Sequence, residues 1–248
     1  MKKSSNSPVF MTKVRNDLFD AKLGLDRGRS KLCEAAWYLL KCGLFLTPLP
    51  FPSAIKRFVL RCFGAQVGCG VVIKPRVNIH FPWKLSIGDH TWIGEEVSIL
   101  NFEPVSIGKH CCISQRAFLC GGNHNYREPD MRYRNGPITV KDGVWIGAQS
   151  FVAADVVIGT EAVILAGSIV SRSQPSQMVC SGNPCVPVRP RWQEFEGTDQ
   201  QKIGRWSVQN DEDLWLVPHL PEYSNHSELE EVIAVQSENT SAFEEAAD

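Results

Sequence analysis

The chain has 248 residues, 43% of them hydrophobic, and a formal charge of −1 from 26 basic and 27 acidic side chains. That length and apolar content support a sizeable core, and the balanced total excludes a uniformly acidic disordered chain or a histone-like basic one. The balance conceals an asymmetry: residues 192–248 hold 14 acidic and 2 basic side chains, whereas residues 1–66 hold 12 basic and 4 acidic.

No charge-free apolar stretch of about 20 residues occurs, so no membrane-spanning helix is expected. The basic start MKKSSNSPVF is not followed directly by a long apolar run, which argues against a signal peptide. Nine cysteines, an odd number with no C-x-x-C pair and with Cys111 next to Cys112, suggest reduced thiols in a cytoplasmic protein. Residues 1–66 read as a helical leader. Ser30–Leu46 is an apolar helix around Trp37, Leu39 and Leu40, ended by Pro48 and Pro50. Ser53–Phe63 is a basic amphipathic helix, with Ile55, Phe58, Val59 and Cys62 on one face and Lys56, Arg57 and Arg61 on the other. Two roles compete for this pair: capping the open end of whatever follows, or attachment to an anionic membrane surface.

From Val67 an aliphatic residue returns every sixth position: Val67, Ile73, Ile79; Ile87, Ile93, Ile99; Ile107, Ile113, Leu119; then Val140, Ile146, Val152, Ile158, Ile164 and Val170. Neither an alternating strand nor a 3.6-residue helix generates a six-residue ruler. Glycine often follows the ruler residue (Gly68, Gly88, Gly94, Gly108, Gly147, Gly159), where a tight turn with positive φ is expected. Four residues after the ruler stand small or β-branched side chains such as Thr91, Cys111, Ala117, Ser150, Ala162 and Ser168. The ruler is broken after Ile79, after Ile99 and after Leu119, each time following three hexads. Three hexads per coil make a triangular solenoid of short parallel strands, all-β in class, whose insertions leave from one corner. The longest insertion, 120–139, is then an arm on a rigid scaffold. Beyond the repeat domain, 67–191, the acidic residues 192–248 read as a tail that is ordered in part at its start and disordered at its end.

The arm begins Cys120-Gly121-Gly122-Asn123-His124-Asn125-Tyr126. A loop histidine suits general-base chemistry, because imidazole titrates near neutral pH, although a lone loop histidine is more often plain surface. His90 and His110, each three residues after a ruler isoleucine, are expected to stack on adjacent coils about 5 Å apart as solvated turn residues. His80 reads as another turn residue. A zinc enzyme needs three convergent imidazoles and the arm offers one, so no metal is expected. No dinucleotide fingerprint, P-loop or basic–aromatic nucleic-acid pattern is present in the sequence.

Four stretches carry a family resemblance: PWKLSIGDHTWIG (82–94), ISQRAFLCGGNHNY (113–126), DGVWIGAQSFV (142–152) and SGNPCVPVRPR (181–191). Through them the chain resembles the hexapeptide-repeat acyltransferases with a left-handed parallel β-helix, and within these the colanic acid biosynthesis O-acetyltransferase branch. The resemblance implies transfer of an acetyl group from acetyl-CoA to a sugar hydroxyl in polysaccharide biosynthesis, in a homotrimer, with His124 as general base. It also implies Asn101, Asn123, Tyr126 and Trp145 on the acceptor side. Ala148 and Ala166 would line the CoA arm, and Ser171, Arg172 and Arg189 its far end, although Arg172-Ser173-Gln174-Pro175 departs from the family's usual Thr-Lys-Asp-Ile/Val-Pro. A lipid-linked oligosaccharide is the acceptor expected from that branch and from the basic helix Ser53–Phe63, with peripheral contact at the inner face of the plasma membrane. A free small sugar or xenobiotic acceptor, a nucleophilic role for Cys120 and a non-catalytic trimeric scaffold are the alternatives.

Overall fold

The computed structural model describes residues 13–192; the acidic segment from residue 193 onward lies outside them. Three parallel sheets form the walls of the solenoid. The first holds Gln66–Val67, Leu85–Ile87, Val105–Ile107, Ile138–Val140 and Val156–Ile158; the third holds Asn78–Ile79, Ser98–Leu100, Phe118–Cys120, Phe151–Val152 and Ile169–Val170. The second runs from Val72–Ile73 through Trp92–Ile93, Cys112–Ile113, Trp145–Ile146 and Val163–Ile164 to a closing antiparallel hairpin, Met178–Gly182 with Cys185–Pro190. Register follows the ruler, as in Ile73↔Ile93, Ile93↔Ile113 and Ile113↔Ile146. All fifteen ruler residues point inward, none more than 8% exposed. The small residues between them, Thr91, Ala117, Ser150, Ala162 and Ser168, are equally buried, because three walls converge there and leave no volume for longer side chains.

The glycines after the ruler serve a purpose other than the expected one. The left-handed conformation falls three residues after the ruler, at His90 (φ 58°), His110 (φ 54°), Asp155 (φ 61°) and Glu161 (φ 58°), whereas Gly88, Gly108 and Gly147 keep ordinary φ. Their requirement is coil-to-coil closeness: a Cβ on Gly88 would stand 2.6 Å from the Gly108 carbonyl carbon, and one on Gly147 would stand 2.5 Å from the Ala166 nitrogen.

Helix α1, Lys31–Leu40, is N-capped by Ser30 and passes at Lys41 into a π-helical turn, Lys41–Phe45, closed by the Leu46 N–H donating to the Lys41 carbonyl at 3.0 Å. Helix α2, Ser53–Cys62, closes the open end of the solenoid, as the capping alternative expects. The face it turns inward carries Lys56 and Leu60, with Val59 packed partly against the core. Lys56 is fully buried and donates to the carbonyls of Ile73 (3.3 Å) and Lys74 (2.9 Å). Arg57 donates to Val71 at 2.7 Å, and Arg61 to Val67 and Gly68. The first coil has no coil beneath it to satisfy these carbonyls, and cationic donors meet that need better than an apolar face would. Ile55 and Phe58 turn outward in consequence, 45% and 67% exposed.

Candidate active site

All three insertions leave between the third sheet and the first, so one corner carries residues 80–84, 101–104 and 121–137. The arm is an antiparallel hairpin, with Asn125 N–H donating to Arg132 O, Arg134 N–H to Asn123 O and Gly136 N–H to Gly121 O at 2.8 to 3.0 Å, and a bridge between His124 and Tyr133. The leader ahead of α1 is strapped along it. Arg15 N–H donates to Pro129 O at 2.8 Å, and the Asn135 amide donates to Gly24 O at 3.0 Å. Gly24 sits at φ +80°, a backbone conformation that strains any larger residue, and an added Cβ would crowd Tyr133 at 3.2 Å.

His124 is exposed on this hairpin. Its Nδ1 stands 2.5 Å from the Met131 carbonyl, which can only accept, so Nδ1 carries a proton and, in the neutral imidazole, the lone pair sits on Nε2. The ring stacks on Tyr133 (centroids 5.1 Å, 30°) and meets Phe19 of the leader at 5.5 Å. Neither aromatic partner was legible from sequence: Phe19 lies 105 positions upstream, and no periodic signal links it to the arm. Asn123 accepts the His124 N–H through its own Oδ1 at 2.8 Å, which shapes the backbone at the histidine. Tyr126, 72% exposed, stands near the arm's tip under the Arg127 guanidinium.

Two expectations at this corner are corrected. Asn101 is fully buried and spends its carboxamide on the Phe81 backbone, accepting from Phe81 N–H at 2.8 Å and donating to Phe81 O at 2.5 Å. It ties the second insertion to the first and presents nothing to an acceptor. His80 is no solvated turn residue. It packs between Phe81 (4.4 Å) and Phe102 (5.0 Å), and burial, reinforced by the charges of Lys41 and Arg27, lowers its pKa to about 4. His90 and His110 do stack at 5.3 Å on the exposed turns. Cys120 donates to Gly122 O at 3.2 Å and burial raises its pKa, the reverse of what a thiolate nucleophile requires. Among the described residues no three His, Cys, Asp or Glu side chains converge as a metal site.

The residues expected to hold CoA stand elsewhere. Ala148 and Ala166 are stacked at the corner between the second and third sheets, joined by Gly167 N–H donating to Ala148 O at 2.8 Å. Neither alanine's own N–H has a backbone acceptor among the described residues, leaving two donors at this rim. Trp145, half exposed on the second sheet, donates its indole N–H to Ser114 Oγ at 2.9 Å. Trp92 lies two strands away on the same outer face, similarly exposed, and no signal in the sequence marked it. Ser171 and Arg172 follow the last strand of the third sheet, and Arg189 lies in the closing hairpin; all three are exposed. Both guanidiniums lack a carboxylate partner among the described residues. One protomer therefore keeps the arm histidine and the alanine rim on different corners of the prism.

Hexad coils in a triangular solenoid with a histidine-bearing arm define a class, the hexapeptide-repeat acetyltransferases, and the chain belongs to it. It is 36% identical over 165 residues to WcaF of Escherichia coli K12, named as a colanic acid biosynthesis acetyltransferase, across 66% of this chain and 91% of that one. The galactoside O-acetyltransferase of the same organism is 31% identical over 145 residues, 56% of this chain and 70% of the relative. Among solved structures, the hexapeptide-repeat acetyltransferase VCA0836 of Vibrio cholerae, in complex with acetyl-CoA, matches with a TM-score of 0.60 and 25% identity over 66% of this chain and 89% of that one. No protein-family model matches the chain.

Proposed function

We propose that this chain is an O-acetyltransferase that moves the acetyl group of acetyl-CoA to a sugar hydroxyl in polysaccharide biosynthesis. The observation that carries the reading is His124, exposed on the arm with Nδ1 held by the Met131 carbonyl and Nε2 free. Nε2 takes the proton of the acceptor hydroxyl as its oxygen attacks the thioester carbonyl. The tetrahedral oxyanion is met by a backbone N–H at the alanine rim, Ala148 being the candidate. It then collapses with cleavage of the C–S bond, and the departing CoA thiolate recovers the proton from the imidazolium. The exposed guanidiniums of Arg172 and Arg189 suit the phosphates of CoA, Ser171 lies beside them, and Trp145 walls the thioester channel. Asn123 sets the histidine backbone, and Tyr126 is placed to meet the acceptor.

The active unit in this reading is a homotrimer, because base and rim lie on different corners and meet only if the arm of one protomer reaches the rim of the next. The acceptor is a lipid-linked oligosaccharide. The leader supports this with apolar side chains facing outward, among them Leu32 (80% exposed), Leu39 (72%) and Phe58 (67%), on a segment carrying twelve basic residues. Such a surface suits the interface of an anionic membrane, and no helix among the described residues is long and apolar enough to cross one. Purified protein is expected to release CoA thiol from acetyl-CoA only when a glycan acceptor is present. Failure of acetyl-CoA to raise the melting temperature, together with no acceptor-dependent thiol release across a glycan panel, would refute the assignment.

A further inference from the structure

A cavity of about 470 Å³ opens between α1 and the first insertion, outside the alanine rim and at the same corner as the arm. Its aromatic lining includes Tyr38, Phe81 and Trp83, and its cations are Arg27, Lys31 and Lys41 against one carboxylate, Glu34. Arg27 holds that carboxylate at 2.9 Å. Lys41 has no carboxylate: it is 7% exposed, among the described residues its ammonium enters no ion pair, and it lies 5.5 Å from the centre of the Tyr38 ring. The π-helical turn begins at Lys41, the kind of local widening that recurs at functional sites. A buried ammonium facing a cavity without a counter-ion is costly unless an anion completes it.

The cavity is also connected to the arm. Ring contacts run from His80 to Phe102 at 5.0 Å, from Phe102 to Tyr133 at 5.7 Å and from Tyr133 to His124 at 5.1 Å. Phe102 and Tyr133 are half-buried, so both rings keep part of their apolar surface open for contact with a sugar.

We infer that this cavity binds the glycosyl diphosphate end of the acceptor, its cations taking the phosphates while the Phe102–Tyr133 aromatic path leads the glycan to His124. Three cations against one carboxylate leave an excess of two positive charges, which a diphosphate offsets, and the rings of Tyr38 and Trp83 accept the first sugar, with buried Phe81 stacked behind Trp83. The cavity lies within the ordinary size range of small-molecule sites. This subsite rests on the proposed sugar acetylation and extends it: the enzyme would read the anionic anchor of its acceptor as well as the hydroxyl it modifies.

The test uses the full chain saturated with CoA, so that no nucleotide enters the CoA site, titrated with UDP-glucose, farnesyl diphosphoglucose, inorganic pyrophosphate and glucose. Both glycosyl diphosphates are expected to bind at least tenfold more tightly than glucose, and the tighter of the two identifies a nucleotide or a lipid as the carrier. Lys41→Met should weaken that binding tenfold or more while keeping or raising the melting temperature, since it removes an unpaired buried charge, and while leaving acetyl-CoA affinity unchanged. A lysine with a structural role would give the opposite thermal response. Should Lys41→Met lower the melting temperature, Lys31→Gln at an exposed position of the lining takes its place, with a severalfold loss expected. Absence of diphosphate binding, or binding indifferent to the substitution, overturns the inference. Diphosphate binding without acetyl transfer to any glycan would refute the proposed function and leave the subsite standing; transfer without diphosphate binding would do the reverse.

Discussion

At His124 one carbonyl decides the chemistry. The Met131 oxygen fixes the tautomer, while Tyr133 and Phe19 fix the plane of the ring, so Nε2 is aimed without a carboxylate behind it. His124→Ala is expected to lower acetyl transfer by about 10²–10⁴-fold, the usual worth of a positioned base, with acetyl-CoA affinity within twofold of wild type. Single-turnover transfer and equilibrium titration check the two halves, and undiminished turnover would exclude the base role. His80 makes a contrasting prediction. Its folded pKa of about 4 lies below the unfolded value near 6.5, so between those limits the unfolded chain binds more protons. Stability is then fully present above pH 6.5 and is lost as the pH falls toward 4, by at most about 3 kcal/mol and less for a ring still partly in contact with solvent. Lys41, Arg27 and Glu34 are the charges that act on it. Thermal melts of His80→Gln against wild type should show a flatter acid limb in that window; identical limbs would mean the imidazole titrates normally.

Among the elements, α2 and the coils respond to different rules. Lys56 and Lys41 are both buried lysines, yet Lys56 has two carbonyl acceptors and Lys41 no acceptor among the described residues. Lys56→Met leaves the Lys74 carbonyl unpaired and the Ile73 carbonyl with only the Ser53 hydroxyl at 3.4 Å, and is expected to cost about 2–4 kcal/mol in denaturant unfolding, where Lys41→Met costs nothing. Gly88→Ala drives a Cβ to 2.6 Å from the next coil's backbone, and a loss of about 2–3 kcal/mol is expected from the same measurement. The coils were legible because their constraint is periodic: every inward position of the prism repeats, so the spacing of Ile87, Ile93 and Ile99 is enough to announce three walls. The orientation of α2 was not legible. Its two faces can be read from the sequence but not which one turns inward, because the decisive requirement was the unpaired carbonyls of a coil edge, which no residue pattern records. Asn101 misled for a related reason. An amide at an insertion suits substrate and backbone equally, and only the proximity of Phe81, twenty residues earlier, separates the two.

For the whole molecule, the geometry of the prism sets a condition on assembly. His124 leaves from the corner between the third and first sheets, and Ala148 and Ala166 line the corner between the second and third. If catalysis joins the arm of one protomer to the rim of its neighbour, each site draws on two chains, and defects in arm and rim become separable. His124→Ala removes the base but keeps the rim; Ala166→Trp blocks the rim but keeps the base. Each variant alone is expected to be inactive. Mixed at equal amounts and reassembled at random, a site is intact wherever an Ala166→Trp arm meets a His124→Ala rim, which occurs at about one interface in four in a cyclic homotrimer. Recovery of about a quarter of wild-type transfer on mixing is therefore expected, and its rise should follow the rate of subunit exchange. If arm and rim met within one chain, the mixture would stay inactive at every ratio, and the intersubunit site would be abandoned.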